Sequence, residues 1–527
     1  MATTHSTQDQ HQEHALSVVT NGQAKKKRIL LNAFDMNGIG HISPGQWRNP
    51  IDKSKYKNRL EYWLDLAKLL DRGKFNALFL ADNFGSHDIY TGSHDPAIRA
   101  GTQWPMYDPF VIISAMASVT KNVAFGVTSC TTFEPPFLLA KRFSTLDHVT
   151  RGRIAWNIVT SWSDNAARAV GLEELPEHDL RYEMAEEYLN LMYKLWEGSW
   201  ADNAVIQDAE HATYTDPSKV RKISHKGRFF KCVSAHLVDP SPQRTPVLFQ
   251  AGMSPYVLPK SPLPSPVQLQ PSTAHDTDAI SMLILRSRAG AAFGAKHAEC
   301  IFIGGRSPSF VRTKIDETRK MAASQGRNPQ SLKFFVQFTP ILGATDEEAR
   351  AKLAEYRKYA IPEGGLALFC GISHIDVSKF PLDEEFPKDK QHPLYAGLSP
   401  RAVEALTHKP DGFETWTPRD LGNFQAIGGS GTFLAGSAQT VADEMERWID
   451  KGDVDGFNIG HVVVPGSWED VVDFLVPELQ RRGYDQDYPA EGATARENLY
   501  AAPGSWKLRE DHPGRKFGFE EYGKSWQ

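Results

Sequence analysis

The stretch that decides the fold is residues 126–161, GVTSCTTFEPPFLLAKRFSTLDHVTRGRIAWNIVTS. Apolar and β-branched residues predict one strand over Val123 to Thr128 and another over Ile154 to Thr160. Between them, Pro136 to Val149 has the length and composition of a helix, with a proline that suits its first turn. A strand, a helix and a second strand in this order are typical of the repeating unit of a parallel sheet.

The same alternation continues along most of the chain and supplies eight strands in total. The other six are predicted over Ile29 to Phe34, Phe75 to Ala81, Val247 to Gln250, Glu299 to Ile303, Lys333 to Leu342 and Gly456 to Ile459. Helices are predicted between them, including Asp108 to Thr120, Arg181 to Trp196, Ser309 to Ser324 and Ser437 to Lys451. Eight strands with intervening helices favour an α/β TIM (β/α)8 barrel with insertions over a doubly wound sheet, which has fewer strands.

Composition limits the classes of partner. The chain has 527 residues, of which 41% are hydrophobic and 23% charged, and a formal net charge of -5, so no polybasic surface argues for nucleic acid or an anionic membrane. It contains neither a long apolar segment that could span a membrane nor an apolar secretory signal at its start. Four cysteines without ligand-like spacing predict neither a zinc site nor a disulfide framework. We therefore expect a cytoplasmic protein with a small-molecule partner.

The ends and one internal region differ from the barrel pattern. Residues 1–27 are rich in Gln, His, Ser and Thr and are predicted to be a disordered tail. The basic run Lys25 to Arg28 is read as a solvated flank rather than a nuclear signal. We assign residues 28–484 to the barrel and predict that Phe369 to Thr417 is an excursion near its mouth, and a candidate lid. Residues 485–527 form an extension that is predicted either to wrap a neighbouring subunit or to pack loosely.

Polar and small residues mark four predicted strand ends. They are 81–83 (ADN), 128–132 (TSCTT), 157–161 (NIVTS) and 250–252 (QAG). Ligands of a TIM barrel bind at the carboxyl ends of its strands, and these residue types suit a phosphorylated or multiply hydrogen-bonded ligand. The chain has no catalytic Ser/His/Asp order, no HExxH motif and no P-loop. Gly428 to Gly431 resembles a phosphate loop, but no suitable strand precedes it, so we read it as a flexible lead-in.

Longer motifs carry a family resemblance. The stretches LLNAFDMNGIGH, FNALFLAD, residues 126–161, RYEMAEEYLNLMYKLWEGSW and TPVLFQAG resemble the bacterial-luciferase-like flavin monooxygenases, in the branch of nitrilotriacetate monooxygenase component A. The resemblance implies a barrel that binds reduced FMN from a separate flavin reductase, reacts it with dioxygen and oxygenates a small organic substrate. A homo-oligomer, either a dimer or a tetramer, is also expected. No dinucleotide fingerprint is present, which is consistent with electrons arriving from a partner enzyme.

The resemblance also implies cofactor contacts, each of which has a structural alternative. Asp82 could instead cap a loop, Thr128 could be an ordinary strand residue, and His178 and Tyr182 could be a surface histidine and a core aromatic. Asn157 and Thr160 are weaker candidates that could simply pack at the mouth. The serine expected after QAG is best matched by Ser287, with Ser254 as the fallback. The candidate cofactor-binding residues are therefore Asp82, Thr128, Asn157, Thr160, His178, Tyr182 and Ser287, with no catalytic residue or metal ligand assigned.

One segment departs from the family pattern at this serine. Residues 253–285 are rich in Pro and Ser and separate the QAG strand end from the helix that should follow it. A helix N-terminus there would bind a phosphate group, so the insertion interrupts the expected anion site. Two explanations stay open: an outward loop that still lets Ser287 reach the site, or a translated intron.

Two other functions remain open from the sequence. The first is a luciferase-like oxidoreductase that uses a deazaflavin or flavin without oxygenation. The second is a barrel that has lost catalysis and serves as a binding protein, which the interrupted phosphate turn makes worth testing. The substrate itself cannot be read from the residues.

Overall fold

The computed structural model describes residues 26, 28–251, 289–305, 307–410 and 413–523. In these ranges the chain forms strands that we number in order: β1 (Leu30–Met36), β2 (Ala77–Ala81), β3 (Ala124–Cys130), β4 (Ile154–Val159), β5 (Val205–Asp208), β6 (Thr213–Thr215), β7 (Ile223–Lys226), β8 (Lys231–Ser234), β9 (Val247–Gln250), β10 (Cys300–Ile303), β11 (Lys333–Gly343), β12 (Thr432–Ser437) and β13 (Gly456–Ile459). The eight predicted strands are all present, as β1 to β4, β9, β10, β11 and β13.

These eight strands form a closed parallel barrel. Successive strands pair in the order β1, β2, β3, β4, β9, β10, β11 and β13. The ring closes because β13 also pairs with β1, with Gly456 opposite Leu30. β10 pairs with β11 in the same sheet, with Cys300 opposite Lys333. A closed ring leaves no edge among its strands, so the TIM barrel is confirmed and the doubly wound sheet is excluded.

Helices cover the outside of the barrel. They are α1 (Leu60–Arg72), α2 (Asp95–Ala100), α3 (Phe110–Ser118), α4 (Pro136–Val149), α5 (Asp164–Ala169), α6 (His178–Trp196), and the later helices Ala289–His297, Pro308–Ser324, Asp346–Arg357, Pro362–Ser373, Pro400–Thr407, Pro418–Gln425, Ala438–Gly452, Gly466–Asp470, Val476–Arg481, Ala495–Tyr500 and Phe519–Gly523. The predicted bounds of α4 are confirmed. α6 begins at His178, three residues before the predicted start, and Asp179 in its first turn suits the positive end of the helix dipole.

Three elements were not expected from the sequence. Two short antiparallel hairpins, β5 with β6 and β7 with β8, lie between α6 and β9. β12 pairs with the second half of β11, from Phe338 to Gly343. The glycines before β12 form a bonded turn, since the Gly428 N–H donates to Ser43 Oγ and its carbonyl accepts from Gln337 Nε2. A helix, Pro418–Gln425, and not a strand precedes this turn, and the flexibility of Gly428 to Gly431 stays a prediction.

The predicted excursion, Phe369 to Thr417, shares an apolar core with the residues on either side of it. Cys370, Phe380 and Trp416 of the excursion are buried together with Leu366 before it and Leu421 after it. The helices Pro362–Ser373 and Pro418–Gln425 approach so closely that a Cβ on Gly365 would lie 1.9 Å from the Gly422 carbonyl oxygen. Close packing of this kind makes the excursion a small helical layer inserted between β11 and β12.

The C-terminal extension seals the amino-terminal end of the barrel. Ala495 and Leu499 of the helix Ala495–Tyr500 pack with Leu30, Phe249 and other inward-facing strand residues. Arg496 is fully buried and makes a bidentate ion pair with Glu299, at 2.7 and 2.8 Å. The extension was predicted either to wrap a neighbouring subunit or to pack loosely. These contacts show that loose packing is wrong for residues 485–523.

Some expectations fall partly or wholly outside the described residues. Only Lys26 of the predicted tail is described, and its backbone N–H donates to Gly483. The inserted segment 253–285 lies outside them, as do Ser254 and Ser287. None of the described helices combines the length and the apolar character needed to cross a membrane.

Candidate active site

The first part of the candidate site lies inside the barrel mouth, on β3 and β4. Thr128 and Asn157 are opposite each other in the register of these strands. The Asn157 amide donates to Thr128 Oγ1 at 2.9 Å, and Thr128 donates in turn to the Leu80 carbonyl at 3.0 Å. Their neighbours two residues earlier, Gly126 and Ala155, belong to the barrel interior, so the period of two along a strand places Thr128 and Asn157 there as well.

This pair leaves an acceptor without a partner. Asn157 Oδ1 is buried and accepts no hydrogen bond within the described chain. Burying such an atom costs free energy, and a ligand with a suitable N–H group would recover that cost. Asn157 was among the weaker predicted contacts, and the structure brings it together with Thr128.

Aromatic rings line the barrel interior around the mouth. Phe34 stacks on Phe79 at 5.1 Å between ring centroids, and Phe79 lies 4.4 Å from Phe302. Phe34 and Phe302 are each only partly buried. They form an apolar surface that a planar ring or an uncharged substrate could contact.

The second part of the site lies outside the strand ends, where α6 meets the helix Ala289–His297. The rings of His178 and Tyr182 lie 5.2 Å apart on one face of α6, because the helix already begins at His178. The Tyr182 hydroxyl interacts with the side chains of Thr160 and Gln250. Tyr182 also packs 5.7 Å from Phe293. Thr160 and Tyr182 are therefore brought together, beside the helix that follows the segment containing Ser287.

His178 is the more exposed of the two aromatic candidates. Its Nδ1 is 2.8 Å from Asp179 Oδ1, and 45% of its side chain is exposed. Next to it, Arg181 was not predicted as a contact. It is buried, its Nε has no hydrogen-bond partner among the described residues, and burial lowers its pKa. A buried cation at this position suits an anionic ligand group. The sequence signal that could have identified Arg181 was its position between the predicted contacts His178 and Tyr182.

Asp82 lies at the end of β2, where the sequence predicted it. Its Oδ1 accepts from the Asn83 backbone N–H at 2.9 Å, as a loop-capping residue would. Burial, helped by the nearby carboxylates of Asp108 and Glu134 and opposed by the Asn83 hydrogen bond, raises the pKa of Asp82 to about 7. An acid whose charge changes near neutral pH at a barrel mouth is a candidate functional group, so the capping role does not exclude a ligand contact.

Sequence reasoning missed a buried polar group beside β1, which we call the rim cluster: Asp35, His41, Lys57 and His461. Asp35 Oδ1 accepts from Lys57 Nζ at 2.5 Å and lies 2.9 Å from His461 Nε2. Burial opposes ionisation of Asp35, but Lys57 and His461 outweigh it and hold its pKa below the usual value. Asp35 and His41 stand within the quoted FDMNGIGH motif, whereas Lys57 and His461 come from distant parts of the chain.

A third group missed from the sequence joins two loops at the mouth to the excursion. His87 stacks on Trp162 at 5.8 Å and contacts Gln103 at 3.0 Å through Nε2. Burial lowers the pKa of His87 to about 4. Trp162 in turn lies 5.7 Å from His374, at the end of the helix Pro362–Ser373. The excursion therefore covers part of the mouth, on the side of β2 and β4.

Comparison with known proteins identifies the family. The model of the luciferase-like monooxygenase family matches residues 40–259 and 285–454. This chain belongs to that family. Dimethyl-sulfide monooxygenase of Hyphomicrobium sulfonivorans is 43% identical over 95% of both chains. Long-chain alkane monooxygenase of Geobacillus thermodenitrificans is 41% identical over 93% of this chain and 98% of its own. The chain is a monooxygenase of this family.

Two further similarities bear on the predicted branch and cofactor. Nitrilotriacetate monooxygenase component A of Aminobacter aminovorans is 29% identical over 90% of this chain and 97% of its own, so the predicted resemblance is confirmed, although the two relatives above are more similar. The crystal structure of a riboflavin lyase with modified FMN matches at 29% identity and a TM-score of 0.76, covering 93% of this chain and all of that one.

Proposed function

We propose that this chain is the oxygenase of a two-component system, which receives reduced FMN from a separate reductase and uses dioxygen to oxygenate a small organic substrate. The observation that carries the proposal is that the barrel mouth has two separate polar groups. One is an unsatisfied acceptor inside the mouth, and the other is a hydroxyl with a cation outside it. Asn157 offers an acceptor beside an aromatic wall, and Tyr182 and Arg181 offer a hydroxyl and a cation beside a helix start. FMN has this shape, with a flat ring at one end and a phosphate at the other.

The residues present fit this cofactor. Thr128 and Asn157 would hold the ring system by hydrogen bonds, and Phe34 would contact its apolar part. Tyr182, Arg181 and Ser287 would hold the phosphate. Reduced FMN would supply two of the four electrons that dioxygen takes up, the substrate would supply the other two, and the protein's part is to bind, orient and keep water out.

The excursion is proposed to act as a lid in this arrangement. Gly371 packs against the His87 ring so closely that a Cβ would lie 1.9 Å from Nδ1. Because His87 and Trp162 belong to loops after β2 and β4, a movement of the helix Pro362–Ser373 would change access to the mouth.

The apolar lining favours an uncharged substrate. The rings of Phe34, Phe302 and Trp162 offer contacts to a thioether or an alkane, the substrates that the names of the two relatives above indicate. We propose substrates of this kind ahead of polycarboxylates.

A homo-oligomer is proposed from the outer face of α3. This helix reads FVIISAMAS and carries no charged residue, although Val111 is 76% exposed. Leu138 on the neighbouring helix α4 is 57% exposed. A helix that is apolar on all sides is normally buried, and a second copy of the chain would cover this one. We also propose a cytoplasmic location, which suits four free cysteines and a reductase partner.

The test has two stages. Anaerobic titration with reduced FMN should give saturable binding below about ten micromolar, and no binding at several tens of micromolar would support a barrel that has lost catalysis. With a generic flavin reductase, oxygen consumption should then produce an oxygenated product from dimethyl sulfide or a long-chain alkane. Binding and oxidation of the cofactor without any oxygen uptake would instead support the oxidoreductase alternative.

The transcript should contain the codons of residues 253–285; a message without them would identify a translated intron.

A further inference from the structure

The rim cluster is the densest buried group of titratable side chains near the barrel mouth. Asp35, His41, Lys57 and His461 are each at most 4% exposed. β1 places them across the wall of the barrel. Phe34 faces the interior, and Asp35, the next residue along the strand, faces outward. His41, in the loop after β1, contacts both sides: its ring lies 4.5 Å from Phe34 and its Nδ1 lies 3.9 Å from Asp35 Oδ1.

The cluster has the spacing of a metal site but contains its own cation. The ligand atoms of Asp35, His41 and His461 lie within 4.8 Å of one another. Lys57 Nζ stands 2.5 Å from Asp35 Oδ1 and also donates to the Met36 carbonyl at 3.0 Å. A metal ion at this position would be repelled by the positive charge of Lys57. The ammonium group of Lys57 therefore supplies the positive charge that a metal ion would otherwise supply.

Several polar atoms in the cluster have no partner among the described residues. They are buried, and they comprise Asp35 Oδ2, His41 Nδ1 and His461 Nδ1, together with Gln46 Oε1 nearby. His41, Gln46 and His461 all line one small cavity of about 10 Å³, with Asp52 and Ser54 on its other side. This volume suits a single water molecule, which could bond to two or more of these atoms.

Each member of the cluster has a distinct part. Lys57 keeps Asp35 ionised. Asp35 in turn accepts a hydrogen bond from the Nε2–H group of His461. This leaves Nδ1 of His461 as a hydrogen-bond acceptor that faces the cavity. Burial lowers the pKa of His41 well below its usual value, so this ring is neutral and can pass a proton by exchanging tautomers. The other titratable groups that face the cluster are Tyr62 of α1 and Asp52.

We propose that the rim cluster is a proton relay, in which His41 and His461 carry protons across the barrel rim and Asp35 and Lys57 are positioning residues. The proposal rests on the proposed function. Oxygenation converts reduced FMN, dioxygen and substrate into FMN, water and oxygenated substrate. One oxygen atom goes to the substrate, and the other takes the two hydrogens that the reduced cofactor gives up. Protons must therefore move at the mouth, and His41 is the titratable member of the cluster that contacts its wall.

The test uses a double variant, Asp35→Asn with Lys57→Met. Removing both charges avoids leaving one of them buried without its partner. The matched control is Asp470→Asn with Lys352→Met, which removes a 2.9 Å ion pair between two outer helices. The first readout is nitrogen NMR of histidine-labelled protein without cofactor. The wild type and the control should show His461 as the Nε2–H tautomer, and the rim double variant should show a mixture.

The second readout is the rate at which dioxygen oxidises bound reduced FMN between pH 6 and 9. The rim double variant should bind reduced FMN within about twofold of the wild type, yet react at least tenfold more slowly and lose a solvent deuterium isotope effect. The control should match the wild type in both. Wild-type rates in the rim double variant, or one equivalent of metal in the purified wild type, would overturn the relay. If the wild type binds no flavin, the proposed function fails, while the NMR readout still decides the arrangement of the cluster.

Discussion

Replacing Asp82 with asparagine should make the protein more stable at alkaline pH and weaken its binding of reduced FMN. Burial raises the pKa of this carboxyl from 3.8 to about 7. Below pH 4 the carboxyl is protonated in both the folded and the unfolded chain and has no effect on stability. As the pH rises from 4 to 7 the unfolded chain loses the proton first, so ionisable Asp82 destabilises the fold progressively, and the penalty stays constant above pH 7.

The size of this effect follows from the pKa. A rise from 3.8 to about 7 corresponds to at most about 4 kcal/mol, since one pH unit is about 1.4 kcal/mol. Asp82 is only partly buried, and solvent screening reduces the expected gain to about 1–2 kcal/mol. In a chain of 527 residues such a gain raises the melting temperature by about 1–2 °C.

Thermal unfolding of Asp82→Asn and wild type at pH 5 and pH 8 measures this gain directly. The difference between them should be about a third of its full value at pH 5, where the unfolded carboxyl is already ionised, and should reach its full value at pH 8. Asp65→Asn, an exposed carboxylate on α1, is the control and should show the same small difference at both pH values. An equal difference for Asp82→Asn at both pH values would refute the electrostatic reasoning, and unchanged binding of reduced FMN would remove Asp82 from the site.

Three further predictions test other parts of the molecule. Tyr182→Phe should weaken binding of reduced FMN by about threefold to tenfold, the value of one hydrogen bond, while the protein stays folded; unchanged affinity in a titration would place the phosphate elsewhere. Arg496→Met leaves Glu299 buried without its partner and should lower the free energy of unfolding, measured by urea unfolding, by about 3–5 kcal/mol. Adding Glu299→Gln to this variant should restore most of the lost free energy. If it restores none, the loss is not a charge effect. Gly371→Ala places a Cβ against His87 and should increase protease cleavage within residues 374–417 relative to Gly304→Ala, whose Cβ meets open space; equal cleavage would show that this contact does not hold the excursion.

The barrel could be predicted from the sequence because its signals are local. Most barrel strands are short and largely apolar runs, and α4 has its proline at one end and its strand neighbours on either side. β12 was missed because TFLAGS is short, is preceded by glycines and lies only half buried. The two hairpins between α6 and β9 were missed for a similar reason, since their exposed faces give a weak alternation of apolar and polar residues.

The site was predictable to the extent that its residues lie at strand ends. Thr128 and Asn157 could be anticipated because adjacent parallel strands bring the same level of the barrel together. The rim cluster could not, because His461 and Asp35 are 426 residues apart and Lys57 stands in a loop with no pattern of its own. Only the closure of β13 onto β1 brings these side chains together, and that pairing is a property of the whole ring.

The alternation of side chains along a strand also explains how one barrel rim can serve both ends of a cofactor. Inward positions on β3 and β4 supply Thr128 and Asn157, close to the aromatic interior. At the end of β9, Gln250 follows inward-facing Phe249 and therefore points outward, where it meets Tyr182. A ligand that contacts both Asn157 and Tyr182 must cross the rim between them. Its two ends would then lie in different surroundings, a dry interior for the reactive ring and a polar helix junction for the charged group.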